Sequence, residues 1–433
     1  MYKDKMQASN HRIVAVDVLR GLTISCMVLV NNPGSWSKVY APLCHAHFNG
    51  LTPTDLVFPF FMCLMGMSMY LSLVRKQQDT ATQTRRIFRR TALIFLFGLL
   101  INALGHTMWH PFNPHEWRIL GVLQRLALAY GGAGLLLLWL KPRRAPWAIV
   151  VLLAAYSLML LLGQGYELSA QNIVCRVDLA LLGEAHMYHG EGFAFDPEGL
   201  LSTIPSVAHV LLGAWLAHGA LGRPSLPERM LRLMLPGFLL MASAWLLSYG
   251  LPINKKIWSP TFVMVTCGAC ACLLAVVMKW LDGNGRTVGL SEPLRVMGMN
   301  PMLMFVASDL IALFMSYWNL HGPLYAFFQS FMSDYQASLA YALCNVAACM
   351  AVAYGLHRRE AHSVTFFPIH PFPQSRHRKM APRNVSSAAM ATHTPWSPIV
   401  PTMIAARGMR TIQMLTRFMQ QGRSVSPAPT NTP

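Results

Sequence analysis

The 433-residue chain is short of charge, and shorter still of negative charge: 12% of its residues are charged, with 17 acidic against 35 basic side chains. Soluble domains carry about 25% charged residues, so an ordinary soluble fold is excluded. There is no Walker loop, no Rossmann fingerprint and no internal repeat, which removes P-loop chemistry, dinucleotide binding and solenoid architecture. The short alternating segments of a membrane β-barrel are also missing. The nine cysteines (Cys26, Cys44, Cys63, Cys175, Cys267, Cys270, Cys272, Cys344, Cys349) show no metal-finger spacing and fall mostly in apolar runs. The CxxC of Cys267 and Cys270 reads as helix packing, so neither a disulfide framework nor a metal site is expected. A cleaved leader is not expected either: Asp17 and Arg20 interrupt the first apolar run, and no small-residue cleavage site follows it.

What the chain has is apolar length. It is 54% hydrophobic, with a mean hydropathy of +0.38, and apolar stretches of about 20 residues recur along most of it, each enough to cross roughly 30 Å of hydrocarbon. The fold class expected is an all-α polytopic membrane bundle. Its ten transmembrane helices lie near 12–33, 51–74, 87–105, 118–140, 146–163, 203–221, 230–250, 260–281, 293–316 and 336–357. The net charge of +18 would suggest nucleic acid in a soluble protein. Here the cations cluster in alternate short loops and a tail, so membrane orientation accounts for them and no nucleic-acid partner is expected. Positive-inside bias puts both termini in the cytoplasm. Lys38, Arg118, Arg176 and the pair Lys255–Lys256 are the cations that fall in external loops.

Three regions follow: a cytoplasmic N-terminus (1–11), a transmembrane domain (12–359) and a basic, Pro- and Ser-rich tail (360–433) that reads as disordered. Residues 402–423 of the tail have the pattern of a short amphipathic helix as well as of a solvated segment. The fifth loop, about 164–202, is external and acidic.

Ionisable groups inside spans are costly and usually face a bundle interior or polar cavity. Asp17 and Arg20, three residues apart on the first helix, share a face; an ion pair that locks the helix and a direct ligand role both fit. Arg125, preceded by Gln124 in the fourth span, needs an acidic partner, carbonyl oxygens or an anionic ligand; Asp17 or a phosphate-bearing cofactor would serve. Asn31 and Asn32 end the first span, where a polar pair before Pro33 and Gly34 also simply terminates a helix. His45, His47 and Asn49 lie in the next loop, and Asp55 opens the second span, where a carboxylate suits a helix N-terminus. Together these place an asparagine, a histidine and an aspartate at one membrane level. A histidine oriented by a carboxylate serves as a general base, its unperturbed pKa being about 6.5, or as an acyl-accepting nucleophile. An amide such as Asn31 can donate to a developing oxyanion.

The segments VDVLRG (16–21), VLVNNPG (28–34), HAHFNGLTPTDLVFPFF (45–61), RILGVLQRLALAY (118–130), FDPEGLLSTIP (195–205) and PINKKIWSPTFV (252–263) occur in that order. The chain so resembles the heparan-α-glucosaminide N-acetyltransferase family, including its shorter bacterial members, from about residue 12 to 359. The resemblance implies a multi-pass enzyme that takes acetyl from cytoplasmic acetyl-CoA and passes it across the membrane to an amino sugar. It assigns the active histidine to His45, the essential asparagine to Asn31 and the LTxxD aspartate to Asp55; His47 falls at a variable position. The lysosomal enzyme's luminal domain before the first span is not expected in this protein, which favours a bacterial inner-membrane protein, and the tail beyond Arg359 resembles nothing in the family.

The expected mechanism threads the donor arm through the bundle to His45. His45 removes the acceptor's proton or carries the acetyl, Asp55 orients the imidazole and Asn31 holds the oxyanion. Arg20, Gln124 and Arg125 are the candidates for the donor's anionic groups or for structural pairing, with Asp17 structural. Asn49, Asp178, His186, Asp196, Glu198, Asn254, Lys255 and Trp258 are the candidates for the sugar site, Trp258 either stacking on a pyranose or anchoring the membrane interface. The partners expected are the bilayer, acetyl-CoA and an amino sugar or glycan, with a homodimer allowed. Two alternatives stay open: a secondary transporter of a sugar or small anion, although paired halves are missing, and O-acetylation of a cell-envelope glycan.

Overall fold

Apolar runs of about 20 residues have one way to satisfy their backbone in lipid without pairing to a neighbour, the α-helix. The computed structural model bears this out over the residues it describes, 13–74, 79–109, 113, 115–281, 289 and 291–360. The N-terminal stretch 1–11 and nearly all of the expected tail, including 402–423, lie outside the described residues. The described chain is helical without a strand; a single isolated bridge joins Asn49 and Asn254.

In chain order the helices are α1 (Val14–Asn31), α2 (Val57–Met69), α3 (Thr80–Trp109), α4 (Val122–Leu162), α5 (Ile173–Leu182), α6 (Thr203–Ala220), α7 (Leu226–Leu247), α8 (Pro260–Leu281), α9 (Ser291–Met299), α10 (Pro301–Tyr317), α11 (His321–Gln329) and α12 (Asp334–Glu360). Eight described segments are long and apolar enough to span a membrane, and nine if the bent pair α9–α10 counts as one. The expected count of ten is therefore not reached on length and apolarity. The expected sixth span is present as α6, a largely buried helix whose Ser206, His209 and His218 dilute its apolar character. The expected ninth span is broken: α9 and α10 meet at 91°. Asn300 precedes Pro301 at the start of α10, and a proline cannot continue the hydrogen-bond ladder of the helix before it.

The expected loop at 141–145 has helical backbone, because α4 is helical over 41 residues, although its two halves, Val122–Leu140 and Arg144–Leu162, are each long enough to span a membrane. It cannot be straight. Arg125 stacks on Trp258 at 5.0 Å, and Tyr156 donates to the carbonyl of Ile257 at 2.6 Å. A straight helix would hold residues 125 and 156 about 46 Å apart. The helix therefore folds back between them, in the segment that carries Pro142 and Pro146.

Small residues set the closest crossings. A Cβ on Gly21 of α1 would lie 1.7 Å from the carbonyl oxygen of Leu294 on α9, and one on Gly298 would lie 1.8 Å from that of Asp17. The pair α2–α6 repeats the device: a Cβ on Gly66 would lie 2.0 Å from the carbonyl oxygen of Val210, and one on Gly213 2.2 Å from that of Cys63. With no hydrophobic drive between helices in lipid, such backbone approach supplies the packing energy. Cys63, Cys267 and Cys270 are buried in the same core.

Candidate active site

Three loop segments meet at one end of this bundle, and each has a local reason for its shape. The first is 45–55. Thr52 caps a short helical turn, Pro53–Leu56, with Pro53 in its first turn and Asp55 reaching back. The backbone N–H and the hydroxyl of Thr52 donate to Asp55 Oδ2 at 3.1 and 2.9 Å. The N–H of Ala46 donates to the same oxygen at 3.0 Å. The other oxygen, Oδ1, receives His45 Nδ1 at 2.7 Å. Asp55 is 1% exposed, whereas the His45 side chain is 46% exposed. A buried carboxylate with this many donors satisfies them as the anion, and the donation fixes the imidazole as the Nδ1–H tautomer. Nε2 then carries the free lone pair on the open side.

The second segment is 253–259, a tight turn that starts α8. Asn254 Oδ1 accepts from Ile257 N at 3.1 Å, Ser259 N donates to the Asn254 carbonyl at 2.9 Å, and Ser259 Oγ accepts from Phe262 N at 3.3 Å, capping a helix that begins with Pro260. Trp258 sits at φ +55°, a left-handed conformation that a bulky residue adopts only when its surroundings hold it there. The first two segments are joined directly. Gly50 N donates to Ile253 O at 2.8 Å, and Asn254 Nδ2 donates to Asn49 Oδ1 at 2.9 Å. Gly50 has φ +127°, which favours glycine. The join delivers Lys255 to the His45–Asp55 pair: its Nζ lies 3.3 Å from Asp55 Oδ1 and 3.0 and 3.5 Å from Nδ1 and Nε2 of His45. Burial draws the Lys255 ammonium below the usual lysine range, against the pull of Asp55 and Glu198.

The third segment is 196–202. Arg118 binds Asp196 through two hydrogen bonds, 3.0 and 2.7 Å, binds Glu198 at 2.6 Å, and lies over the Tyr188 ring at 4.8 Å. Burial opposes the charge on Arg118, but its two carboxylates hold it above its ordinary range. Burial pushes Asp196 up, and Arg118 opposes that. Glu198 is also pushed up by burial, but the nearby cations Arg118, Arg125 and Lys255 bring it below its ordinary range. Asp178 accepts from Leu200 N and Leu201 N at 2.8 and 3.1 Å. It presses so closely on Gly199 that a Cβ there would lie 1.7 Å from its Oδ2. Burial raises Asp178 to about 6, the two N–H groups opposing.

The expected site residues thus divide. His45, Asp55 and Lys255 come together, with Glu198 close enough to bias the Lys255 charge. Asn31 ends α1 with an exposed side chain that no described hydrogen bond uses. Asn49 and Asn254 tie two loops together; Asn254, Asp178 and Asp196 are buried, whereas Asn49 stays exposed and uses only its Oδ1 in the tie. His186 is held by Nδ1 to the Trp117 carbonyl at 2.9 Å. Trp258 is 1% exposed, packed against Phe58, His209 and Phe262. Its ring points into the core, away from the surface positions from which it would stack on a pyranose or anchor an interface.

The residues expected at the donor's anionic groups lie inside the bundle. Arg125 is 1% exposed, lies over Trp258, and donates to Ser202 Oγ and to Gly199 O. Asp17 is not its partner; Asp17 pairs with Arg20 at 3.4 Å. Arg20 also donates to the Gly298 carbonyl at 3.1 Å and to Ser68. Gln124 is buried against Gly98 and Gly121. Arg20 and Arg125 are thus bonded within the bundle, whereas Gln124 Nε2 and Arg125 Nε are buried with no hydrogen-bond partner among the described residues. Arg118 was the residue sequence reasoning passed over as a stray external cation. Its signal was the company of Asp196 and Glu198 in the acidic loop on the same side.

A cavity of about 690 Å³ opens beside Arg118, lined among others by Asn102, His106, Glu116, Tyr188, His189 and Asp309. His45 is not in its lining.

Comparison with known proteins places this arrangement. Residues 12–249, more than half of the chain, match the family described as "Heparan-alpha-glucosaminide N-acetyltransferase, catalytic". That stretch contains His45, Asp55, Arg118, Asp196 and Glu198. The human protein named heparan-alpha-glucosaminide N-acetyltransferase is 27% identical over 425 residues, and its mouse counterpart 26% over 424; each alignment takes in 82% of this chain. The chain spans 60% of the length of these curated relatives. It belongs to the heparan-alpha-glucosaminide N-acetyltransferase catalytic family.

Proposed function

We propose that the protein is a transmembrane acetyltransferase that moves acetyl from cytoplasmic acetyl-CoA to an amino sugar or glycan amine on the external side. The observation that carries this reading is the His45 Nδ1–Asp55 Oδ1 contact of 2.7 Å between a buried carboxylate and a half-exposed imidazole, inside the family-matched stretch. Nε2 is the one ring nitrogen free to take a proton. It deprotonates the acceptor ammonium as the amine attacks the thioester, or it accepts the acetyl first. Asp55 holds the tautomer and balances the imidazolium that forms. Asn31, exposed at the end of α1, donates to the oxyanion. Glu198 and Lys255 supply the polar groups nearest the acceptor.

Arg20 and Arg125 are bonded within the bundle, and Gln124 Nε2 and Arg125 Nε are the buried polar atoms there with no partner among the described residues, which keeps them as candidates for the donor's polar groups. The same engagement weighs against a transporter, whose pathway would need Asp17, Arg20 and Arg125 open to a solute. The positive loops support cytoplasmic placement of both termini, and placement in a bacterial inner membrane rests on the resemblance to the family's shorter bacterial members.

Purified protein given acetyl-CoA and glucosamine should form N-acetylglucosamine. His45→Ala should lower the rate at least ~100-fold, the contribution typical of a general base. Asp55→Asn should lower it by a similar factor, and Asn31→Ala by about 10²-fold. Wild-type rates in all three variants would end the assignment.

A further inference from the structure

We propose that Lys255 is an internal acetyl acceptor, so that the protein acetylates its own Nζ when no acceptor amine is present. The inference rests on the acyl-transfer reading above. A thioester positioned for attack assisted by Nε2 of His45 has its carbonyl carbon beside that nitrogen, and Lys255 Nζ is 3.5 Å from Nε2. A lysine side chain ends in the same primary amine as the amino sugar it would replace. At that distance the amine is within loose reach of the base, and an acceptor amine held beside the reacting centre substitutes for a high concentration of free acceptor. The Lys255 side chain is 22% exposed, and burial favours its neutral, nucleophilic form. Its neighbour offers an internal control: Lys256 is turned away and held by Glu191 at 2.6 Å.

The step balances. The Nζ lone pair adds to the thioester carbonyl carbon, and the C–S bond breaks. CoA leaves as the thiolate, and the proton lost from Nζ passes through His45 Nε2 to the thiolate. The amide that results removes the cation from Asp55 Oδ1 and adds an acetyl group beside Nε2. A self-acetylated protein would therefore be a poor transferase, a brake set when donor is plentiful and acceptor is scarce.

The test is peptide mass spectrometry of the purified full chain after incubation with isotopically labelled acetyl-CoA, with and without glucosamine. The proposal expects one labelled acetyl on Lys255 and none on Lys256. The label should fall at least ~tenfold in His45→Ala and fall when glucosamine competes. Equal labelling of Lys255 in wild type and His45→Ala would mean uncatalysed acetylation and would overturn it. N-acetylglucosamine formed without label on Lys255 would overturn the self-acetylation and leave the transferase reading standing. Neither product would overturn both.

Discussion

Asp55 shows how much one side chain organises here: it receives donors from Ala46, Thr52, His45 and Lys255 on its two oxygens. Arg118 has the matching role on the acidic loop. Arg118→Ala would strand the buried Asp196 carboxylate, and removing one partner of a buried pair costs about 3–5 kcal/mol. The variant should therefore lose thermal stability in detergent, and Arg118→Met should not restore it. Asp178 gives a pH signature. Its folded pKa of about 6 lies above the ordinary 3.8, so its contribution favours the fold at low pH and is lost as pH rises from about 4 through about 6. Asp178→Asn keeps the oxygen that accepts from Leu200 and Leu201 and cannot ionise. Its stability relative to wild type should rise across that window, by up to about 3 kcal/mol, as read by denaturation at pH 4 and pH 7; a flat difference would contradict it. At this scale the sequence was legible where residues act locally. Asp55 and Thr52 are three apart, and His45 is ten from Asp55, within one motif. Lys255 stands 210 residues from His45, and nothing local in the sequence announces that contact.

Helices were legible wherever apolar length alone decides, which covers α1, α2, α3, α7, α8 and α12. Departures arose where a short polar or conformational signal outweighs a hydropathy average. Asn300–Pro301 breaks one expected span into α9 and α10, although the residues on both sides are apolar. Around Pro142 the opposite happens: helical backbone continues through a segment whose Lys and Arg residues read as a loop. The burial of Trp258 was not legible for a related reason: aromatic residues near span ends usually mark the interface, and its left-handed φ is invisible in composition. The glycines were present in sequence but their partners were not. Gly66→Leu would drive a side chain into the backbone of Val210, where a Cβ alone would lie 2.0 Å from its oxygen. Overpacking of this kind costs about 1–3 kcal/mol. The variant should melt earlier than wild type in detergent, whereas Gly219→Leu, with nothing within 4 Å of its Cβ, should melt normally.

For the whole molecule, the apolar composition and the alternation of basic loops pointed to a multi-pass bundle, and the described helices agree in kind. The alternation also predicts that His45, Arg118, the 184–198 loop and Lys255 share one face of the membrane, and the bonds of Lys255 to His45, Lys256 to Glu191 and Arg118 to Asp196 and Glu198 join them at one end of the bundle. The account's central claim is that this end receives the acetyl group from a donor on the other side. Purified protein reconstituted in sealed vesicles, sorted by orientation, with labelled acetyl-CoA on the face of the basic loops and glucosamine on the face of His45, tests it most directly. The account predicts labelled N-acetylglucosamine in the glucosamine compartment, dependent on His45, with CoA retained on the donor side. Transfer only when both substrates share one compartment, or none in either arrangement, would contradict it.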